Sequence, residues 1–177
     1  MKKVTLDETW LQNGLPGVTK TIAQCFSEAA SVCWDCNGHG VTVTLTVQGA
    51  VSQTFVIAPQ PVTEKMRGSY ADLQEAVEWA ACAVAFLIVV EETPYTVVSR
   101  SRKGTGFDYW LGDKKAKAPL FQDKARLEVS GILTGSDSDI TRRMKTKQAQ
   151  VSQHQSKLSA YVVVAEFGQP KAQLESV

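Results

Sequence analysis

The polar and apolar positions change period several times along the chain. From Val41 to Val47 the order is Val-Thr-Val-Thr-Leu-Thr-Val, a strict alternation that fits a strand with one wet face. A second β-type run spans Gln53 to Ala58, and Pro59 and Pro61 close the segment. Together they predict a small antiparallel hairpin or sheet. Upstream, a Pro16-Gly17 turn leads into a short helical stretch over Thr19 to Ala30, and Val32 to Asp35 has the character of a starting strand. Further on, Leu73, Ala76, Val77, Ala80, Val84, Leu87 and Ile88 recur at helical spacing, with Ser69 as the expected cap and Asp72 as its capping-box acid.

Pro94 bars continuation of that helix. Three β-type runs follow: Tyr95 to Ser99, Phe107 to Leu111 and Ala125 to Ile132. Asp139 then opens a second helix with Ile140, Met144, Val151 and Leu158 on its buried stripe. Tyr161 to Phe167 is almost wholly apolar, as in a strand covered on both faces. The order from residue 69 is helix, three strands, helix, strand. This predicts an α/β protein: a mixed central sheet flanked by helices over 67–177, preceded by a small β-rich N-terminal element over 1–66, packed as one compact domain.

Composition changes this picture little. The chain has 177 residues, 44% hydrophobic and 21% charged, enough for one buried core. Its longest apolar run, Ala76 to Val90, is broken by Glu78 and fits a buried core helix, so no membrane partner is expected. The opening Met1-Lys2-Lys3 has no apolar stretch after it, and the four cysteines then read as reduced thiols of a cytoplasmic protein.

Charge changes it more. The net charge of +1 hides five Lys/Arg against ten Asp/Glu in residues 1–99, and thirteen against six in residues 100–157. A local excess of that kind either attracts phosphate backbones or acidic partners, or is only a solvated face.

Two acids stand out against this background. Asp108 lies in Gly-Phe-Asp-Tyr-Trp, and Glu128 lies in Arg-Leu-Glu-Val-Ser. Carboxylates with apolar neighbours on adjacent strands repel each other, which raises a pKa or recruits a cation. Mg²⁺ binds through one or two carboxylates together with water and substrate phosphate. The plainer alternatives are that Asp108 caps a turn or pairs with Arg100, Arg102 or Lys103, and that Glu128 pairs with Arg126 or Lys124.

The succession of elements, with Thr105-Gly106-Phe107-Asp108 on one strand and Leu127-Glu128-Val129-Ser130 on the next, resembles the PD-(D/E)XK (restriction-endonuclease-like) nuclease core. The resemblance implies Mg²⁺-dependent hydrolysis of nucleic-acid phosphodiesters, as in restriction, repair or anti-phage defence, with DNA ahead of RNA as partner. It assigns Asp108 and Glu128 to the metal. It adds Glu78, preferred to Glu75, as support from the first helix. The family's Lys, two residues after the Glu, is Ser130 here. Lys147 or Arg143 on the second helix would have to supply the missing cation, while Gln148 and Lys103 would contact substrate. The alternative is a catalytically inactive protein of the same fold, acting as a nucleic-acid-binding or protein-assembly subunit or a homo-oligomer.

Cys25, Cys33, Cys36 and His39 contain one C-x2-C pair but no second paired half, which leaves zinc open. His39 reads as a turn residue and His154 as a surface one. The Lys114-Lys115-Ala116-Lys117 run reads as a solvated loop within reach of a phosphate.

Overall fold

The computed structural model describes residues 13–115, 124–153 and 156–177. His154 and Lys117 lie outside them. The elements are α1 (Lys20–Cys36), β1 (Val43–Gly49), β2 (Gln53–Ile57), α2 (Glu64–Ser69), α3 (Leu73–Glu92), β3 (Tyr95–Arg100), β4 (Tyr109–Asp113), β5 (Ala125–Ile132), α4 (Asp137–Gln153), β6 (Ala160–Glu166) and β7 (Lys171–Ser176). All seven strands join one mixed sheet in the order β2-β1-β7-β6-β5-β4-β3.

The half of the sheet from β3 to β6 carries both acids. β3, β4 and β5 form an antiparallel meander, and β6 then runs parallel to β5 after the crossover through α4. The other half is built from β7 and the N-terminal hairpin. β7 pairs antiparallel with β6 and parallel with β1, so the hairpin is a wing of the same sheet. The alternation along β1 behaves as the sequence predicts: Val43, Leu45 and Val47 are buried and Thr44 is exposed. The sequence pattern does not predict β7, because only Ala172 and Leu174 of its six residues are buried apolar positions.

Apolar side chains fill both faces. α3 covers one, packing Ala80, Val84 and Leu87 against Leu127, Val163 and Leu174, with Phe26, Ala30 and Cys33 of α1 behind it. α4 covers the other, where Ile140, Met144 and Val151 meet Val162 and Val164. α3 is long and apolar enough to cross a membrane by length and composition, yet 61% of that window is buried inside the fold. Gly131 marks its closest approach to the sheet, since a Cβ there would stand 2.4 Å from the Val77 carbonyl oxygen.

Several boundaries differ from expectation. α1 runs on to Cys36 instead of yielding to a strand, because Cys33 and Trp34 are buried in the core and tertiary packing overrides their β propensity. Asp72, not Ser69, caps α3: its carboxylate accepts from the Gln74 and Glu75 amides, while Ser69 ends α2. Leu158 falls beyond the end of α4.

Candidate functional site

The site begins where β4 ends its pairing with β5. Gly104 and Gly106 take positive φ of 94° and 80°, a conformation open to glycine at little cost, and the chain turns there to deliver Asp108. The Asp108 amide donates to the Leu127 carbonyl at 2.9 Å, and its own carbonyl accepts from the Ser101 amide at 2.8 Å. Its carboxylate Oδ2 accepts from the Val129 amide at 2.8 Å. Backbone pairing between β4 and β5 stops at Leu127, and the Asp108 side chain takes one further bond of the ladder. The remaining edge of β5 is left beside a cavity of about 640 Å³.

Glu128 sits in the middle of β5, opposite Val162 of β6. Val162 belongs to the cluster under α4, so Glu128 points to that face. It is only 2% exposed. Lys147 Nζ donates to its Oε1 at 2.6 Å and Gln150 Nε2 to the same oxygen at 3.2 Å. Among the described residues Glu128 Oε2 is buried with no hydrogen-bond partner. Burial, with the charge of Asp108 second, pushes the Glu128 carboxyl up to about 7, against the pull of the Lys147 ammonium.

One turn earlier on α4, Arg143 Nη1 donates to Ser130 Oγ at 3.1 Å. Ser130 is on the same face as Glu128, two residues along the strand. The position from which a motif lysine would project therefore carries a hydroxyl held by a guanidinium. Arg143, Lys147, Asp108 and Ser130 all line the cavity.

The remaining predicted residues divide. Glu78 lines the cavity from α3 and is exposed, whereas Glu75 does not line it. Lys103 lies exposed in the β3–β4 turn and is not among the lining residues. Gln148 is replaced by Gln150, and helix geometry gives the reason. At ~100° per residue, Gln148 and Asp137 fall on one flank of the buried stripe, and Arg143 and Gln150 fall on the other. Asp137 pairs with Lys171 of β7 at 2.6 Å, so the first flank faces away from β4 and the second faces Glu128. Gln150 also reaches the Gly106 carbonyl at 3.4 Å, linking the Asp108 turn to Glu128.

Two further contributors come from the α3 side. Arg100 lines the cavity and stands 5.9 Å over the Tyr109 ring. Tyr109 itself is buried, with its hydroxyl 3.7 Å from Cys82 Sγ, and burial pushes the Cys82 thiol up to about 12. Arg100 was visible in the sequence only as a pairing candidate for Asp108.

The cysteine-histidine set does not assemble a metal site. Cys33 is buried, Cys36 is exposed, and His39 Nε2 lies 3.1 and 3.0 Å from the Phe167 and Gly168 carbonyl oxygens. Among the described residues no three His, Cys, Asp or Glu side chains are grouped to hold an ion. Neither ion-pair alternative is present among the described residues: Glu128 pairs with Lys147, and Asp108 makes no ion pair but accepts from the Val129 backbone amide. Comparison of the chain with family models, with curated proteins and with solved structures finds no match.

Proposed function

We propose that the chain is a Mg²⁺-dependent phosphodiesterase of the PD-(D/E)XK type, acting on nucleic acid, with its cation relocated from the strand to α4. One observation carries the reading. Lys147 and Arg143, one helical turn apart, reach Glu128 and the residue two beyond it, beside a second carboxylate and a cavity.

The donor set suits a hard cation held by few protein ligands. Asp108 commits one oxygen to the Val129 amide, and Glu128 Oε2 is buried without a hydrogen-bond partner among the described residues. With only two carboxylates, water and phosphate oxygens would have to complete the shell, which is how Mg²⁺ is commonly bound. When bound, such an ion polarises the phosphoryl oxygen and lowers the pKa of a water. The chain's own residues supply the rest. Arg143 and Arg100 line the cavity without a carboxylate partner among the described residues and can neutralise phosphate oxygens. Lys147 donates to Glu128 and opposes the rise that burial imposes on its pKa. Glu78 adds a second carboxylate to the wall, beside Asp108.

The test combines calorimetry of Mg²⁺ binding with incubation of single- and double-stranded DNA and RNA. The wild type should bind the ion and cut, and Asp108→Asn or Glu128→Gln should abolish both while the chain stays folded. No ion binding in the wild type, together with a gain in stability in both variants, would reduce the pair to two repelling acids and end the reading.

The Lys147–Glu128 pair also favours a second reading. An internal ammonium can stand in for the metal, giving a catalytically inactive nucleic-acid-binding or assembly subunit. Binding of nucleic acid with no cleavage under any divalent cation would select it.

A further inference from the structure

The cavity is larger and more apolar than a phosphate requires. Its volume of about 640 Å³ falls within the ~300–1,000 Å³ of pockets that enclose most of a small organic ligand. Its cations and hydroxyl, Arg143, Lys147 and Ser130, come from α4 and the β5 edge, with Arg100 and Asp108 from the β3–β4 side. The opposite wall sets Phe26 of α1 and Leu73, Val77 and Trp79 of α3 beside Gln74 and Glu78 of the same helix, and buried Tyr109 contributes from β4. A chain of phosphates has no use for Phe26, Leu73, Val77 and Trp79.

From this asymmetry we infer that the apolar half is a nucleobase subsite, so that the cavity takes one unstacked nucleotide. Its base lies against Trp79 and its phosphate beside Arg143. The inference rests on the acid pair being a phosphodiester site, and adds the form of the substrate: a single strand or a flipped nucleotide.

Trp79 suits the role. It is half-buried and meets Phe26 and Tyr70 at interplanar angles of 80° and 74°, so neither of these rings is stacked parallel on the indole. Bases of any sequence stack on such faces. Arg100, with no ion pair among the described residues, adds a planar cation to the same cavity that can stack on a base or meet a phosphate. A base paired within a duplex cannot enter; it must first leave the stack.

The experiment measures fluorescence anisotropy of the full chain in EDTA, at low salt, with two labelled strands. One is a five-nucleotide oligothymidylate and the other its fully abasic counterpart, which carries the same phosphates. The wild type should bind the base-bearing strand between about fivefold and 150-fold more tightly, the range seen when one base–aromatic stack is removed. A duplex of equal length should bind more weakly than the single strand. Trp79→Ala should remove most of the preference and Trp79→Phe should keep it, whereas Arg143→Ala should weaken both strands alike.

Equal affinity of the wild type for the two strands, with both weakened in Arg143→Ala, would overturn the base subsite and leave the phosphodiester reading standing. Duplex binding as tight as the single strand would also overturn it. Binding of neither strand would remove both. The wild-type comparison decides even if Trp79→Ala fails to fold.

Discussion

Replacing Lys147 with Met isolates the interaction on which the site depends. The substitution keeps an unbranched, apolar stem on α4 and removes the ammonium that stands 2.6 Å from Glu128 Oε1. Glu128 is 2% exposed and Lys147 23%, so the acid cannot turn to water. It can only keep an unpaired charge or take up a proton. A charge-assisted bond of this type is worth about 1.5–3 kcal/mol, and 1.36 kcal/mol corresponds to one pKa unit. The Glu128 carboxyl, already up to about 7 in the wild type, should therefore rise a further one to two units, to roughly 8–9.

The sign follows from linkage. A carboxyl whose folded-state pKa lies above its unfolded value favours the folded state while protonated. That contribution is complete below about pH 4.5 and is lost as pH rises through the folded pKa. In the wild type the loss runs from about pH 4.5 to about pH 7; in Lys147→Met it should continue to about pH 8–9. At pH 6 Glu128 is largely protonated in both proteins, and the variant should be less stable by under about 0.5 kcal/mol. At pH 9 the wild type is ionised and its ion pair intact, and the difference should grow to about 2 kcal/mol. Urea denaturation at the two pH values reads this directly, as a midpoint shift of roughly 1 M at pH 9. The double variant Lys147→Met/Glu128→Gln should lose the pH dependence. A deficit of equal size at pH 6 and pH 9 would refute the reasoning, because packing and not charge would then be what Lys147 contributes.

Three other outcomes follow from the same geometry. Gln150→Ala removes the link between Glu128 and the Gly106 carbonyl; it should cost about 1–2 kcal/mol and speed hydrogen exchange at the Asp108 amide, and unchanged exchange would show the turn to be held without it. Gly131→Ala sets a methyl against the Val77 carbonyl and should lower stability by about 1–3 kcal/mol in chemical denaturation; a neutral result would mean that α3 and β5 can move apart. Replacing Arg142, Arg143 and Lys147 together with Ala should flatten the dependence of nucleic-acid binding on salt, by about one unit of slope for each phosphate no longer neutralised, and an unchanged slope would place the phosphates elsewhere on the surface.

How far the sequence discloses the fold depends on where the information lies. Elements with a clean period were legible: the alternating β1, the apolar β6, and the helical recurrence along α3. β7 was not, because Lys-Ala-Gln-Leu-Glu-Ser is short and polar and becomes a strand only through partners on both sides, β6 and β1. The hairpin's attachment was illegible for the same reason: its pairing with β7 is a parallel contact across more than a hundred residues of chain. The extent of α1 was hidden by Val32, Cys33 and Trp34, a run with strand character in isolation that is helical here, with Cys33 and Trp34 buried in the core shared with α3 and the sheet.

The candidate site shows the same division at finer grain. Asp108 and Glu128 announce themselves as charges inside β-type runs, where an acid needs a reason to be. Arg143 and Lys147 are four residues apart, one turn on the same face of α4, and that spacing can be read without a structure. What periodicity cannot supply is the direction of a helix flank. Gln148 and Gln150 lie on opposite flanks of the buried stripe in the sequence, and only the order of strands under α4 decides that Gln150 meets Glu128 while Gln148 shares its flank with Asp137, the residue that reaches to β7. Ser130 is the converse case. Read alone it is a missing charge; in the fold its hydroxyl is the acceptor for Arg143, and its small side chain leaves room for a cation from the neighbouring helix. A lysine at 130 would compete with Arg143 for the same place, so the serine and the two α4 cations are consistent with one another as a set.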